Sequence, residues 1–301
     1  MRAYVTGASG FVGRWLLDHL RASGDEVIAP EVELTDAAAL TSALAAARPD
    51  AVYHLAAVAN VGESWGDPRH TFAVNAVGTL NLLEAARALD PAPVVLLVCS
   101  AEVYGRVTPD ELPLREDAPL RPVSPYAASK VAAEYLGVQA HLAYGLPVVR
   151  ARAFNHIGPG QAPTFVVSSL AQQIARAAIG GGAVVEVGNL TPRRDYTDVR
   201  DVVRAYRLLI EHGRPGEVYN VCSGEDVAVS EVAARLIALA AVDVELRVVD
   251  ERVRDVDVPV LRGDPSRLVA ATGWRRERSL DETLADVLGD WKRALASPER
   301  L

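Results

Sequence analysis

Lysine is almost missing from this chain. Its 31 basic residues are 29 arginines and two lysines, Lys130 and Lys292, so the lysine in the stretch SPYAASK (124–130) stands where arginine was passed over. Basic residues are also outnumbered by 39 acidic ones, giving a net charge of -8 and a pI near 5.3. That balance removes any general electrostatic reason to bind nucleic acid or an anionic membrane, although a local basic patch could still hold a phosphorylated ligand. Cysteine is scarce as well. Cys99 and Cys222 each follow an apolar, strand-like run, which fits reduced, buried thiols in a reducing, cytoplasmic compartment better than a disulfide framework. No apolar run approaches about 18 residues, and the N-terminus enters a strand at once without a basic leader region; neither a membrane span nor a signal peptide is expected. The six histidines show no HxxxH spacing and no CxxC accompanies them, so no metal site is expected.

What is present is a long, half-hydrophobic chain of 301 residues, enough for one large α/β domain or a core domain with a smaller one attached. Its first half alternates β-branched runs (AYVTG, EVIAP, AVYHLAA, VVLLVCS, PVVRARAF) with helical periodicity (FVGRWLLDHLRAS, DAAALTSALAAA, TFAVNAVGTLNLLEAARAL, PYAASKVAAEYLGVQAHLAYG). Strict alternation predicts βαβ units and a doubly wound parallel sheet of the Rossmann type, covered on both faces. Residues 1–155 are assigned to this dinucleotide-binding domain. After Phe154 the chain is richer in loops, with short strand candidates VVEVG and VELRVVD, and 156–301 reads as a smaller substrate domain. The two are interleaved, because 197–224 resembles one more helix-strand unit returning to the main sheet.

TGASGFVG follows the first strand and opens the first helix, with Gly7, Gly10 and Gly13 spaced GxxGxxG. Glycines let the backbone turn tightly and approach a pyrophosphate, and N–H groups at the helix start supply donors. The turn, with Ser9, Phe11 and Val12, is therefore a candidate dinucleotide site. Glu31, after the second strand, has no arginine or lysine placed beside it to catch a 2′-phosphate; it reads equally as a ribose acceptor, leaning towards NAD over NADP, or as a solvated carboxylate. Glu33 and Leu34 are candidates for the adenine ring, Ala56 and Ala57 for a bare stretch of backbone under the cofactor, and Asn75 completes the set.

Ser124 and Pro125 read as an N-cap and a first helical position, which puts Tyr126 and Lys130 in the opening turns and on one face. A cation near the positive end of a helix breaks the usual charge preference, and such a departure marks a candidate functional site. A phenol is a poor proton carrier at neutral pH, and a nearby ammonium would lower its pKa by about one to three units. Ammonium is also compact where guanidinium is broad and planar. Ser100 ends the fourth strand, at the sheet edge where ligands of this fold sit.

Together these residues resemble the extended short-chain dehydrogenase/reductase family, over nearly the whole chain: GxxGxxG at 7–13, Ser100 in SAEVYG, and Tyr126-x-x-x-Lys130. Within it, FNHIGPGQ, VGNLTPRRDYTDVRDVVRAY and RDVDVPVLRGDPSRL are most similar to enzymes of GDP-sugars. The resemblance implies NAD(P)H-dependent reduction at C4 of GDP-4-dehydro-6-deoxy-D-mannose to a GDP-6-deoxyhexose such as GDP-rhamnose. Tyr126 would protonate O4, Lys130 would hold the nicotinamide ribose, and Ser100 would orient the carbonyl. A 4,6-dehydratase needs an acid and a base near the sugar besides; Ala101 cannot transfer protons, but Glu102 could. A 4-epimerase needs only the Ser-Tyr-Lys set, and a non-catalytic dinucleotide sensor needs none of it. The resemblance further implies Asn155 near the phosphates, Arg194 on the diphosphate, Arg254 on phosphate and Asp257 on ribose, with Thr164, Phe165, Val166 and Glu186 around the base. It implies a homodimer through helices over 71–89 and 125–144.

Overall fold

Near-continuous runs of small and β-branched residues form the strands at the centre of the molecule, because helices cover them from both sides. The computed structural model describes residues 1–180, 182–249 and 258–296; Arg254 and Asp257 lie outside them. The main sheet contains β1 (Arg2–Thr6), β2 (Glu26–Ile28), β3 (Ala51–His54), β4 (Val94–Ser100) and β5 (Val148–Ala153). Its order is β2-β1-β3-β4-β5 followed by a later strand, and every pairing is parallel. The chain steps from β1 to β2 on one side and returns to β3 on the other. That reversal opens a crevice at the carboxyl ends of β1 and β3, the place where this architecture receives ligands.

Leu16 and Leu20, from the helix Phe11–Ala22, pack on one face together with Tyr206 and Leu209 from the helix Val199–His212. Leu40, Leu44, Leu82, Leu83 and Ala140, from the helices Ala37–Ala47, Gly78–Arg87 and Pro125–Tyr144, cover the other. The stretch over 71–89, expected as one helix, is divided. A π-helical turn at Ala73–Val77 precedes Gly78–Arg87, and it carries Asn75 at its centre.

Past Phe154 the chain builds a second layer. β6 (Asn155–Ile157), β8 (Arg193–Asp198), β10 (Asp226–Ala228) and β12 (Val260–Leu261) form a small mixed sheet, while β7 (Val184–Val187) pairs in parallel with β11 (Glu245–Val248). Apart from β12, whose Leu261 packs with Tyr104 and Phe154, these elements share a core with the helices Val166–Ala178, Val229–Ala240 and Leu280–Ala296. Between them, the helix Val199–His212 and β9 (Val218–Val221) go back to the main sheet, where β9 lies beside β5.

Candidate active site

The glycine turn is shaped by close backbone approach. Gly7 has φ +71, and a Cβ there would lie 2.7 Å from the Ala56 nitrogen. A Cβ on Gly13 would lie 2.2 Å from the Gly7 carbonyl oxygen. A larger residue at Gly7 would push the turn away from the segment after β3, and one at Gly13 would push the helix away from the turn. Gly10 starts the helix Phe11–Ala22 without a side-chain cap, and no acidic residue occupies its first turn. Its first N–H groups are therefore open to an anionic ligand. These features fit a dinucleotide pyrophosphate. Ser9 is exposed beside the turn, and Phe11 stacks on His156 at 6.3 Å.

Beyond the turn, Glu31 and Glu33 are exposed. Leu34, expected against the adenine, instead buries its side chain in the core, so close beneath Gly78 that a Cβ there would be 2.6 Å away. Asn75 is also buried, and its side chain is committed internally: Oδ1 accepts from Val58 N at 2.8 Å, and Nδ2 donates to the Val58 carbonyl and to Ser129 Oγ. It fixes the segment after Ala56 and Ala57 to the helix Pro125–Tyr144 instead of presenting its amide to a ligand.

That helix starts as the sequence predicts. Ser124 Oγ accepts from Ala127 N at 3.1 Å and Pro125 occupies the first turn. Tyr126 and Lys130 thereby reach the same cavity, of about 930 Å³, as Ser100 and Glu102. Ser100 closes β4 and accepts from Glu102 N at 3.2 Å. Burial pushes the Tyr126 phenol up to about 12; a hydrogen bond with the Ser100 hydroxyl opposes that shift and the Glu102 charge adds to it. The expected depression of the phenol by its lysine is not what the structure contains. Lys130 Nζ donates to the Val98 carbonyl at 2.7 Å, and burial lowers the ammonium's own pKa. Burial is the largest influence on the phenol, and the ammonium is held on a carbonyl of β4.

One turn past Lys130, the fully buried Glu134 anchors the helix. Arg152 of β5 donates to it from Nε at 3.0 Å and from Nη2 at 2.7 Å, and Arg150 from Nη1 at 3.2 Å. Arg152 also donates to the Tyr104 hydroxyl at 2.9 Å. The fork geometry, with both carboxylate oxygens occupied, locks helix, β5 and the segment after Ser100 together.

The opposite wall of the cavity comes from the second layer. Asn155 from β6, Thr164, Phe165 and Val166 at the start of the helix Val166–Ala178, Glu186 from β7 and Arg194 from β8 all line it. Arg194 is mostly buried and gives Nη1 to the carbonyls of Arg193 and Val258. Its neighbour Arg193 is neutralised by Asp226 and Glu231. The backbone of Glu186 is held from both sides by the Gln173 amide, at 2.9 and 3.0 Å.

A family model described as GDP-mannose 4,6 dehydratase matches residues 29–287. The chain belongs to that family. A GDP-6-deoxy-D-mannose reductase from Pseudomonas aeruginosa is 40% identical, covering 97% of each chain. A GDP-mannose 4,6-dehydratase from Yersinia enterocolitica is 29% identical, covering 87% of this chain and 78% of its own. The solved structure of RMD from Pseudomonas aeruginosa complexed with NADPH superposes with a TM-score of 0.89, 40% identity and 97% of each chain covered.

In this member of the GDP-mannose 4,6-dehydratase family the cavity also draws on residues that sequence reasoning passed over: Gln161, Gln172, Gln173, Arg176 and Tyr206. A signal for some of them was present. Val166, Ser169, Gln173 and Arg176 recur at helical spacing along one face, while Ala171, Ile174 and Ala175 are buried on the other. Such a stripe, polar towards its end, separates cavity from core. Gly7, Ser9, Gly10, Phe11, Gly13, Glu31, Glu33 and Ala56 are not in the wall of this cavity, whereas Val12 and Ala57 are.

Proposed function

We propose that the protein reduces the C4 keto group of GDP-4-dehydro-6-deoxy-D-mannose to a GDP-6-deoxyhexose, GDP-D-rhamnose, with NAD(P)H. The observation that carries this reading is the convergence of Ser100, Tyr126 and Lys130 on one cavity, beside the non-titrating, buried Ala101. A dinucleotide held there would supply the hydride to C4. The chain's residues do the rest. Tyr126, kept protonated by its burial, donates its proton to O4 as the negative charge develops there. The Ser100 hydroxyl hydrogen-bonds the same oxygen and the phenol. Lys130 uses one of its three donors on Val98 and has the others for the ribose of the dinucleotide. Gly7, Gly10 and Gly13 bring backbone against the pyrophosphate, and Glu31 and Glu33 sit at the adenosine end. Residues 1–155 with 197–224 form the dinucleotide-binding domain, and the remainder of 156–301 holds the GDP-sugar. There Arg194 reaches the diphosphate, Asn155 the neighbouring phosphate, and Glu186 accepts from the guanine N1 and N2 donors. Arg254 and Asp257 are assigned to phosphate and ribose by resemblance alone.

Glu102 lines the cavity as well, which supports GDP-mannose 4,6-dehydration as a second reading. Incubation with GDP-4-dehydro-6-deoxy-D-mannose and, separately, with GDP-mannose separates the two. Oxidation of added NADPH or NADH with the keto sugar, giving a 6-deoxyhexose, is the expected result. Conversion of GDP-mannose to a keto sugar without net change in cofactor would replace the reductase by the dehydratase.

The subunit is assigned to a homodimer. Phe72, Val77 and Leu80 on one helical run and Tyr135, Leu142 and Tyr144 on the helix Pro125–Tyr144 are exposed hydrophobics, Leu142 to 78%. Two adjacent helices with such faces suit a self-complementary contact about a two-fold axis. Light scattering of the purified protein should give twice the chain mass. Reduced thiols at Cys99 and Cys222 match a cytoplasmic setting. No helix among the described residues is long and apolar enough to cross a membrane.

A further inference from the structure

The helix Val199–His212 packs on the main sheet beside the helix Phe11–Ala22, and Tyr206 on it is fully buried. Its hydroxyl has no hydrogen-bond partner. Tyr4 and Tyr53 are in the same position, but they belong to the core alone, whereas Tyr206 also lines the cavity that holds Tyr126 and Lys130. Val12 from the glycine turn, Leu55 after β3, Val98 from β4 and Ala153 from β5 belong to the same apolar cluster as Tyr206 and line the same cavity. A buried hydroxyl left without a partner is costly, and native structures rarely keep one without a reason.

We propose that the Tyr206 hydroxyl is the anchor for the carboxamide of the nicotinamide ring. This assignment rests on the reading of the crevice as a dinucleotide site. For Tyr126 to hand its proton to the oxygen of the carbon being reduced, the reactive ring must lie at this end of the cavity. A flat aromatic ring suits the aliphatic wall of Val12, Leu55, Val98 and Ala153, and its one polar substituent, an amide with both donors and an acceptor, needs a buried partner. Tyr206 offers one. Burial and the nearby Tyr126 both raise its pKa, so it stays a neutral phenol, able to donate to the amide oxygen or accept from its nitrogen. It is a positioning residue: it sets where the ring lies and takes no part in proton transfer.

The test compares Tyr206→Phe with the wild type by calorimetric titration of NADPH, NADH, ADP-ribose and 2′-phospho-ADP-ribose, the last two lacking the nicotinamide. The preferred dinucleotide should bind Tyr206→Phe about fivefold to tenfold more weakly, the size of one neutral hydrogen bond. The matching ADP-ribose compound should bind both proteins equally, and the thermal midpoint of the variant without ligand should not fall, since removing an unpartnered hydroxyl relieves a desolvation cost. Unchanged dinucleotide affinity, or an equal loss on both classes of ligand, would overturn the assignment while leaving the cofactor reading intact. A wild-type protein that binds none of the four would overturn the cofactor reading, and this assignment with it.

Discussion

The two walls of the cavity are built on opposite plans. On the sheet side, Ser100, Tyr126 and Lys130 are all nine-tenths or more buried and sit at the end of a seven-residue strand and the start of a twenty-residue helix. The buried Glu134 carboxylate pins that helix to β5 through Arg152 and Arg150. On the other side, Phe165, Val166, Arg176 and Glu186 are exposed, on one face of a single helix and on the two-stranded sheet of β7 and β11. Proton transfer depends on placement to a fraction of an ångström, and recognition of a nucleotide tolerates more, because several weak contacts share it. On the proposed reading the chemistry falls on the buried wall and most of the recognition on the more exposed one, with the buried Arg194 as the exception.

That contrast can be broken most directly at Tyr126. Tyr126→Phe should lower turnover by about a thousandfold, within the usual range for removal of a positioned acid, while cofactor affinity measured by fluorescence titration stays near wild type. Near-native turnover would take the phenol out of the reaction and leave the rigid wall without its purpose. Glu134→Gln tests the rigidity itself. It leaves Arg152 buried without its charge partner, and a loss of about 3–5 kcal/mol in denaturant unfolding is expected. A change below about 1 kcal/mol would mean that the ion pair does not anchor the helix.

The two directions of the reaction sharpen the picture through their pH dependence. With the phenol pushed up to about 12 in the unliganded protein, it carries its proton throughout the neutral range. Reductive turnover should therefore be flat with respect to this group from acid to mildly alkaline pH and fall only as the phenol ionises. Oxidation of the product alcohol needs the phenolate and should rise about tenfold per pH unit over the same range. A reductive rate that falls from pH 6 to 8, with Tyr126→Phe abolishing the fall, would show that ligand binding brings the phenol down to neutrality. The smallest effect belongs to the exposed wall: Arg176→Ala should raise KM for the GDP-sugar by only about threefold, as an exposed charge contributes little, with kcat unchanged. A hundredfold rise would erase the distinction between the two walls.

The same asymmetry governs what could be read without coordinates. The alternation of strand and helix up to Phe154 reports local periodicity, and the glycine turn, Ser100 and the Ser124 cap are each a few residues of unambiguous local signal. The second layer is assembled from strands as short as Val260–Leu261, paired with partners far along the chain, so periodicity has little to register. Long-range packing also sets the surroundings of residues that local sequence does not reveal. Leu34 looked like a loop residue next to a ligand because nothing local announces Gly78 above it. Lys130 looked free to depress its tyrosine because nothing in YAASK announces a carbonyl of β4 within reach. Tyr206 was hidden inside the apolar pattern of an amphipathic helix, where its hydroxyl leaves no trace in the spacing.

The thiol next door to Ser100 carries one practical lesson. Cys99 is 3% exposed and burial raises its pKa, so almost none of it exists as the nucleophilic thiolate near neutrality. Cys222 is fully buried and shifted the same way. Alkylating reagents should leave the folded enzyme untouched, assays need no added reductant, and a cysteine introduced on the rim would be the sole handle for a covalent label.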